Sequence, residues 1–548
     1  MTDGGFHWVD ALIVLVYLGV LSSIGFAFSR RQKSLDDFIR GGQKLGWVTV
    51  GVSLMAALNS GLDYVQAPAV VFGIGIVFIM SFLSWIPLYP WVSRVTLPFY
   101  RRLKVYSAYE YLELRFGAVV RTLAACIFVL WRVGWMGAAL YVPCLAVRAA
   151  TANQLDTTLM VVVLGTVVTL YTMLGGMKAV VWTDVSQFGI MFFGLAGTLF
   201  FIVSQIPGGA SEVLNVAGEA GRLSLTGDVP PGGDRWEQFV NYMTTEVTLA
   251  GIFVVVLLSR ATAFTADQVA IQRFQSSRSL AEARKSLLVN AFSDTVWMAV
   301  LGFVGLALYA YFHHFPFPEG MQNDHVLPYF MSRHFPVGLT GIVIAAIFAA
   351  SLSSVDAAMN STTSIIMVDF YNRLLLGHRH PMENLDASEQ RRQLRISRIV
   401  NLCLGVIMIV IAANIQNMGE IYRAGNKILG AFFGPLFGIF ILGMFSRQSH
   451  SSGVVIGALA GLSASCFASF FSELAWLQSI CGNLFGEGFV YFFRNLSWQW
   501  PSAIGISVTL GVGLLASALL PGNRSREEAL TYREVMKRPL LEGTEPEN

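Results

Sequence analysis

The chain has 548 residues, of which 54% are hydrophobic and only 13% charged, and its net charge is +3. Soluble domains carry about 25% charged residues, so this composition excludes an ordinary soluble enzyme and offers no basic surface for nucleic acid. The five cysteines (Cys126, Cys144, Cys403, Cys466, Cys481) stand singly, without ligand spacing or a disulfide framework.

Apolar runs long enough to cross a roughly 30 Å hydrocarbon core recur along the whole length. They predict an all-α polytopic membrane protein with about thirteen transmembrane helices. These lie at 8–28, 46–71, 74–99, 119–147, 155–174, 178–204, 241–271, 284–312, 337–371, 397–415, 419–446, 449–474 and 498–520. The first run lacks a basic leader and a small-residue cleavage site, so it reads as a retained helix. In the second, Asn59-Ser60-Gly61-Leu62-Asp63 interrupts the apolar pattern and Pro68 follows. In the seventh, the stretch Arg260 to Asp267 interrupts it, ahead of Gln272 and Arg273.

The basic residues set the orientation. With the N-terminus outside, 28 of the 37 Lys and Arg fall in alternate, inner loops or at inner span ends. Only Arg148, Arg222, Arg235, Arg333 and Arg494 fall on the other side. One missing or extra span would scramble this asymmetry, so the N-terminus is predicted outside and the C-terminus inside. The histidines of the second outer loop (His313, His314, His325, His334) match no ligand spacing and read as solvated.

The spans group into a plan. Residues 1–45 hold an extra helix and the first cytoplasmic loop, 46–204 a first set of five helices, and 205–240 an extracellular loop. Residues 241–446 hold a second set of five, 447–520 two additional helices, and 521–548 a cytoplasmic tail. Five is odd, so the second set enters with inverted topology, a 5+5 inverted repeat. Each set opens on a broken helix, and such paired breaks point to a transporter's binding site.

The ninth span carries a carboxylate and a ladder of hydroxyls between Ala349 and Thr363. A charged side chain at bilayer depth costs about 2.5–3.5 kcal/mol on insertion scales, so Asp356 needs a partner, a proton or a cation. Ser353, Ser354 and Asn360 share a broad helical face with it, which suits a hard cation. The alternative is that these hydroxyls only satisfy backbone carbonyls or pack against a neighbouring helix.

Four segments make the resemblance specific. Tyr171 to Gln187, with its Gly175-Gly176 and Thr183-Asp184 pairs, resembles the signature of the sodium:solute symporter family. Ser53 to Asn59, Gly434 to Phe445 and the serine segment ending Asn360-Ser361-Thr362 agree in content and order, and the likeness runs from about 8 to 520. That family carries sugars, sialic acid, proline, pantothenate, iodide and monocarboxylates with sodium. The resemblance implies a sodium-coupled importer of a small polar organic solute working by alternating access, multi-pass in the plasma (inner) membrane and active as a monomer. It implies Na+ as the coupling ion and no enzymatic activity. A sensor on a transporter scaffold is the alternative, and the short tail after Pro521 gives it no signalling domain.

Carried over residue by residue, the family's common sodium site falls on Ala56, Asn59, Ala350, Ser353 and Ser354. A second cation site falls on Asp184, Ser353 and Asp356. Here the chain departs from the family, with Asp356 where such members have Ser or Thr and Ala357 where they have a second hydroxyl. Either both carboxylates bind one sodium, or a proton is carried in its place, or Asp356 pairs with a basic group such as Lys178. The solute positions are Asp63, Trp85 with Phe82, Arg132, Arg260, Asp294, Asn426 and Lys427. They do not reproduce the sugar-binding pattern, and charges of both signs beside aromatic rings suit an anionic or zwitterionic solute as well as a sugar. Arg132 serves either that solute or a structural ion pair.

Overall fold

The structure is a computed structural model. It describes residues 6–29, 45–103, 105–151, 155–226, 229–318, 320–377, 386–414, 421–522 and 530–540. The expected basic loop at 30–44 therefore lies outside the described residues, as does much of the tail.

The described chain is helical, and its one strand-like pairing is the isolated bridge between Leu45 and Ser277. In chain order the helices used below are α1 (Trp8–Ser29), α2 (Trp47–Leu58), α3 (Gly61–Ile74), α4 (Ala108–Phe116), α5 (Ala118–Ala150), α6 (Thr157–Ser204) and α7 (Leu249–Thr265). They continue with α8 (Gln268–Ser276), α9 (Leu280–His314), α10 (Leu339–Ile365), α11 (Ala387–Asn414), α12 (Ile421–Phe445), α13 (Ser451–Phe470) and α14 (Pro501–Leu519). With no water at bilayer depth, only a helix satisfies its own backbone polar groups, and that selects this secondary structure from apolar sequence. Polar residues mark several starts: the side chains of Ser107, Asp156, Thr248 and Ser279 accept from backbone N–H groups in the first turns of α4, α6, α7 and α9.

Among the described residues ten helices are long and apolar enough to cross a membrane, or up to twelve if two bent pairs each count as one span. The first bent pair, α2 and α3, turns through 63° and contains the break expected at Asn59-Ser60. The expected helices at 155–174 and 178–204 are joined as α6, which kinks at Gly176 (φ 57°, ψ −171°). The break expected in the seventh span falls at Ala266-Asp267, between α7 and α8. That span starts at Leu249, because Arg235–Thr244 forms a separate helix inclined at 51° to it.

α10 is the buried centre, packed by α1, α2, α3, α5, α6 and α8. Its approach to the α2–α3 break is close, since a Cβ on Gly61 would stand 2.7 Å from the Ile347 carbonyl oxygen. α12, α13 and α14 pack on one another. Large apolar side chains such as Phe193, Phe200 and Leu515 are exposed on the outside, as a lipid-facing surface requires.

At one end the chain is tied together by its basic residues. Arg121 bonds Asp369 and Glu113, Arg373 bonds Glu113, and Arg101 donates to the Phe274 carbonyl. The tail returns to this end: Tyr532 donates to the Arg94 carbonyl at 3.1 Å, and Val535 is fully buried. Several residues read in the sequence as loop charges are thus interior, with Arg115, Arg121 and Arg273 all buried.

Candidate cation and solute site

The break between α2 and α3 leaves Asn59 and Ser60 extended (φ −110° and −111°). The Ser60 carbonyl accepts the first bonds of α3, from the Asp63 and Tyr64 N–H groups, while the Asn59 carbonyl faces α10. α10 passes this point with Ser353 and Ser354 facing it. Ser353 Oγ donates to the Ala56 carbonyl at 2.8 Å and Ser354 Oγ to the Asn59 carbonyl at 3.0 Å. Both hydroxyls also lie within hydrogen-bond distance of the Ala350 carbonyl, at 3.0 and 3.3 Å. All five expected sodium-site residues therefore meet at one point. The donors are uncharged hard oxygens, a set that suits a monovalent cation held loosely enough to leave.

The second expected cation set is only partly assembled. Asp184 is fully buried and accepts from Ser53 Oγ at 2.5 Å and Arg273 Nη2 at 2.8 Å. Arg273 Nε in turn donates to Ser53 Oγ at 2.8 Å. Asp356 is equally buried, and its Oδ2 accepts from Tyr171 at 3.1 Å and Thr183 at 3.4 Å. One oxygen of each carboxylate, Asp184 Oδ1 and Asp356 Oδ1, has no donor. Ser353 is committed to the first set. The Tyr171 and Thr183 hydroxyls both come from the signature segment itself, which also carries Lys178, the basic group expected as an alternative partner for Asp356.

Beside the break lies a cavity of about 240 Å³, lined by Asp63, Trp85, Arg132, Arg260 and Asp294 among others. Five of the eight expected solute positions thus converge. Asp294 accepts from Trp85 Nε1 at 2.7 Å and pairs with Arg260, whose guanidinium sits 5.0 Å above the Trp85 ring. Arg260 also donates to Ser84 Oγ at 2.8 Å. Arg132 pairs with Asp267, which caps α8 by accepting from Val269 N–H at 2.8 Å. Asp63 accepts from the Ser60 backbone N–H at 2.7 Å and from its hydroxyl at 3.2 Å. There, in the first turn of α3, the helix dipole favours a negative charge.

Phe82 and Lys427 are not part of that wall. Lys427 Nζ binds Glu473 at 2.5 Å and Ser472 at 3.1 Å, and the cavity wall on α12 begins just after it, at Leu429 and Gly430. The side chain of Asn426 lies outside the described residues. Conversely, the sequence reading missed Asp267 and Asn290 in the cavity wall and Arg273 against Asp184. Asp267 and Arg273 do flank the break in the seventh span, which was the available signal. Asn290 lies one helical turn before Asp294 on the same face of α9.

The chain is similar to known sodium-coupled transporters. The sequence pattern of the Sodium:solute symporter family matches residues 38–461. The sodium/sialic acid symporter SiaT of Proteus mirabilis is 30% identical, over 86% of this chain and 91% of its own. The sodium-coupled monocarboxylate transporter 1 of Xenopus laevis is also 30% identical, over 86% of this chain and 73% of its own. Among solved structures, a Na+-coupled sialic acid symporter in a substrate-bound outward-open state superposes with a TM-score of 0.79. It is 26% identical, covering 94% of this chain and 98% of that one.

Proposed function

The chain belongs to the sodium:solute symporter family, and from that premise we propose that it drives uptake of a small polar organic solute with inward sodium flow, by alternating access. It is a multi-pass membrane transporter, not an enzyme, and sodium is its coupling ion. The observation that supports the finer reading best is the meeting of Ser353 and Ser354 with the Ala56 and Asn59 carbonyls. Those carbonyls belong to the same broken helix that presents Asp63 to the cavity.

In this reading sodium enters between α2 and α10, its hydration shell replaced by the five oxygens. Binding there fixes the α2–α3 break against α10 and with it the wall of the solute cavity. Coupling is then a differential affinity, since sodium binds more tightly to the arrangement that also holds solute. An inside-negative potential contributes about 2.3 kcal/mol per charge per 100 mV to inward movement. Asp184 and Asp356 form a second cation position, where a bound cation would complete the two carboxylate oxygens that lack donors.

The plan of thirteen spans follows if the 48-residue α6 is two crossings divided at Gly176 and each bent pair is one. Two five-helix repeats then enter with opposite topology, the N-terminus lies outside, and the basic end of the bundle faces the cytoplasm of a plasma or inner membrane.

The test is uptake by the purified protein in proteoliposomes, with glucose, N-acetylneuraminate, lactate and L-proline as radiolabelled probes. An imposed inward sodium gradient is expected to drive accumulation of a probe, and its collapse to abolish it. Accumulation indifferent to sodium overturns the reading.

A further inference from the structure

We infer that the solute carries a protonated amine, held by the carboxylate of Asp63 and the amide oxygen of Asn290. This rests on the reading of the cavity as the solute site of a sodium symporter, and names the class of solute it takes.

The charges lining the cavity do not cancel. Three carboxylates, Asp63, Asp267 and Asp294, face two guanidiniums, Arg132 and Arg260. Each guanidinium already has its own carboxylate, Arg132 with Asp267 and Arg260 with Asp294. Asp63 has no ion-pair partner among the described residues. Its contacts are with the neutral Ser60 backbone N–H and hydroxyl, both directed to one oxygen, Oδ2. Unlike Asp267 and Asp294 it is only half-buried, open to the cavity. An anionic solute would meet this carboxylate and would have to break a buried ion pair to reach an arginine, which leaves a buried charge unpaired. A neutral sugar would bring no counter-charge to Asp63.

A second, independent observation points to the same chemistry. Asn290 is 2% exposed, lines the cavity, and its Oδ1 has no hydrogen-bond donor among the described residues. A buried acceptor without a donor is costly, and an ammonium group supplies several N–H donors at once. Asn290 and Asp294 stand one turn apart on the same face of α9. The wall adds the aromatic side chains of Trp85, Trp135, Phe264 and Phe433, which cover an apolar body and, where a ring face is free, attract a desolvated cation. None of the five sodium-site residues brings a formal charge, so the sodium set does not change the balance of fixed protein charge.

The experiment uses the full chain in proteoliposomes with amino acids paired to their 2-hydroxy acids: alanine with lactate, leucine with 2-hydroxyisocaproate, phenylalanine with phenyllactate. Ethanolamine and glucose complete the set. Within each pair only the amine is replaced by a hydroxyl. We expect sodium-driven accumulation of an amine probe and at least about tenfold weaker binding of its hydroxy partner. Asp63→Asn and Asn290→Leu should each weaken amine binding by about tenfold or more. The sodium-induced rise in melting temperature should survive in both. Asp63 also caps α3, so Asn290→Leu serves as the variant that leaves that cap intact. Sodium-driven uptake of a hydroxy acid or glucose in preference to every amine overturns the inference and leaves symport standing. No sodium-dependent stabilisation and no sodium-driven uptake of any probe overturns the symporter reading, and the inference with it.

Discussion

Ser354 on α10 donates its hydroxyl to the carbonyl of Asn59, 3.0 Å away and 295 residues earlier in the chain. An unbroken helix thereby meets the open end of a broken one. If this point holds sodium, Ser354→Ala removes one ligand without creating a charge or a large cavity. The expected outcome is a rise of roughly tenfold in the sodium concentration for half-maximal uptake, about 1.4 kcal/mol. Maximal uptake at saturating sodium should change less, and sodium-titrated uptake reads both.

Arg273 and Asp184 are each at most 1% exposed and are joined at 2.8 Å. Removing one partner of such a pair strands a buried charge, which costs about 3–5 kcal/mol. Arg273→Leu should lower the melting temperature sharply. The double variant Arg273→Leu with Asp184→Leu should recover most of the loss, because no charge is then left buried. Equal melting temperatures for single and double variants would mean that the pair carries no such coupling.

Asp356 takes its hydrogen bonds from Tyr171 and Thr183, neither of which can neutralise a carboxylate. If a cation does so, Asp356→Asn keeps the shape and removes the counter-charge. Sodium dependence of uptake should become less steep, with the Hill coefficient falling towards one. Steepness unchanged in this variant, measured across several pH values, removes Asp356 from the ion path.

Gly176 adopts φ 57° and ψ −171° inside α6, a region open in practice only to glycine. Gly176→Ala is expected to destabilise by about 1–3 kcal/mol. The melting temperature in detergent reports it, and Gly189→Ala is the control, since a Cβ at Gly189 meets nothing within 4 Å.

Glu113, on α4 outside the spans, is partly desolvated, which by itself raises its pKa. The Arg373 and Arg121 guanidiniums outweigh that and hold its carboxyl below the ordinary value of 4.5. A depressed folded pKa contributes stability above the unfolded value, and that contribution is lost as pH falls through the folded one. Acidification below about pH 4.5 should therefore loosen the α4 end of the bundle. Thermal melts against pH should show a smaller acid-side fall for Glu113→Gln than for the parent chain.

Much of the site was legible because membrane sequence is constrained. The α2–α3 break was visible as Asn59-Ser60-Gly61 within apolar sequence, and Ser353 and Ser354 as hydroxyls on one helix face that the family resemblance assigned to a sodium site. Pairings across the bundle were less legible. Lys427 has the right charge for a solute ligand and lies near the right place, yet Glu473 from the segment after α13 holds it away from the cavity. Arg273 reads as an inner-loop charge until α8 folds it against Asp184.

The sequence alone determined a helical, multi-pass chain with two broken spans and its hydroxyl-bearing helix, because bilayer thickness and backbone satisfaction act on local sequence. Only the tertiary structure decided which charges neutralise one another. Arg132 with Asp267, Arg260 with Asp294 and Arg273 with Asp184 are each set by packing between separate helices. Local sequence lists those charges without pairing them, and so it could not show that Asp63 is left facing the cavity without a counter-charge.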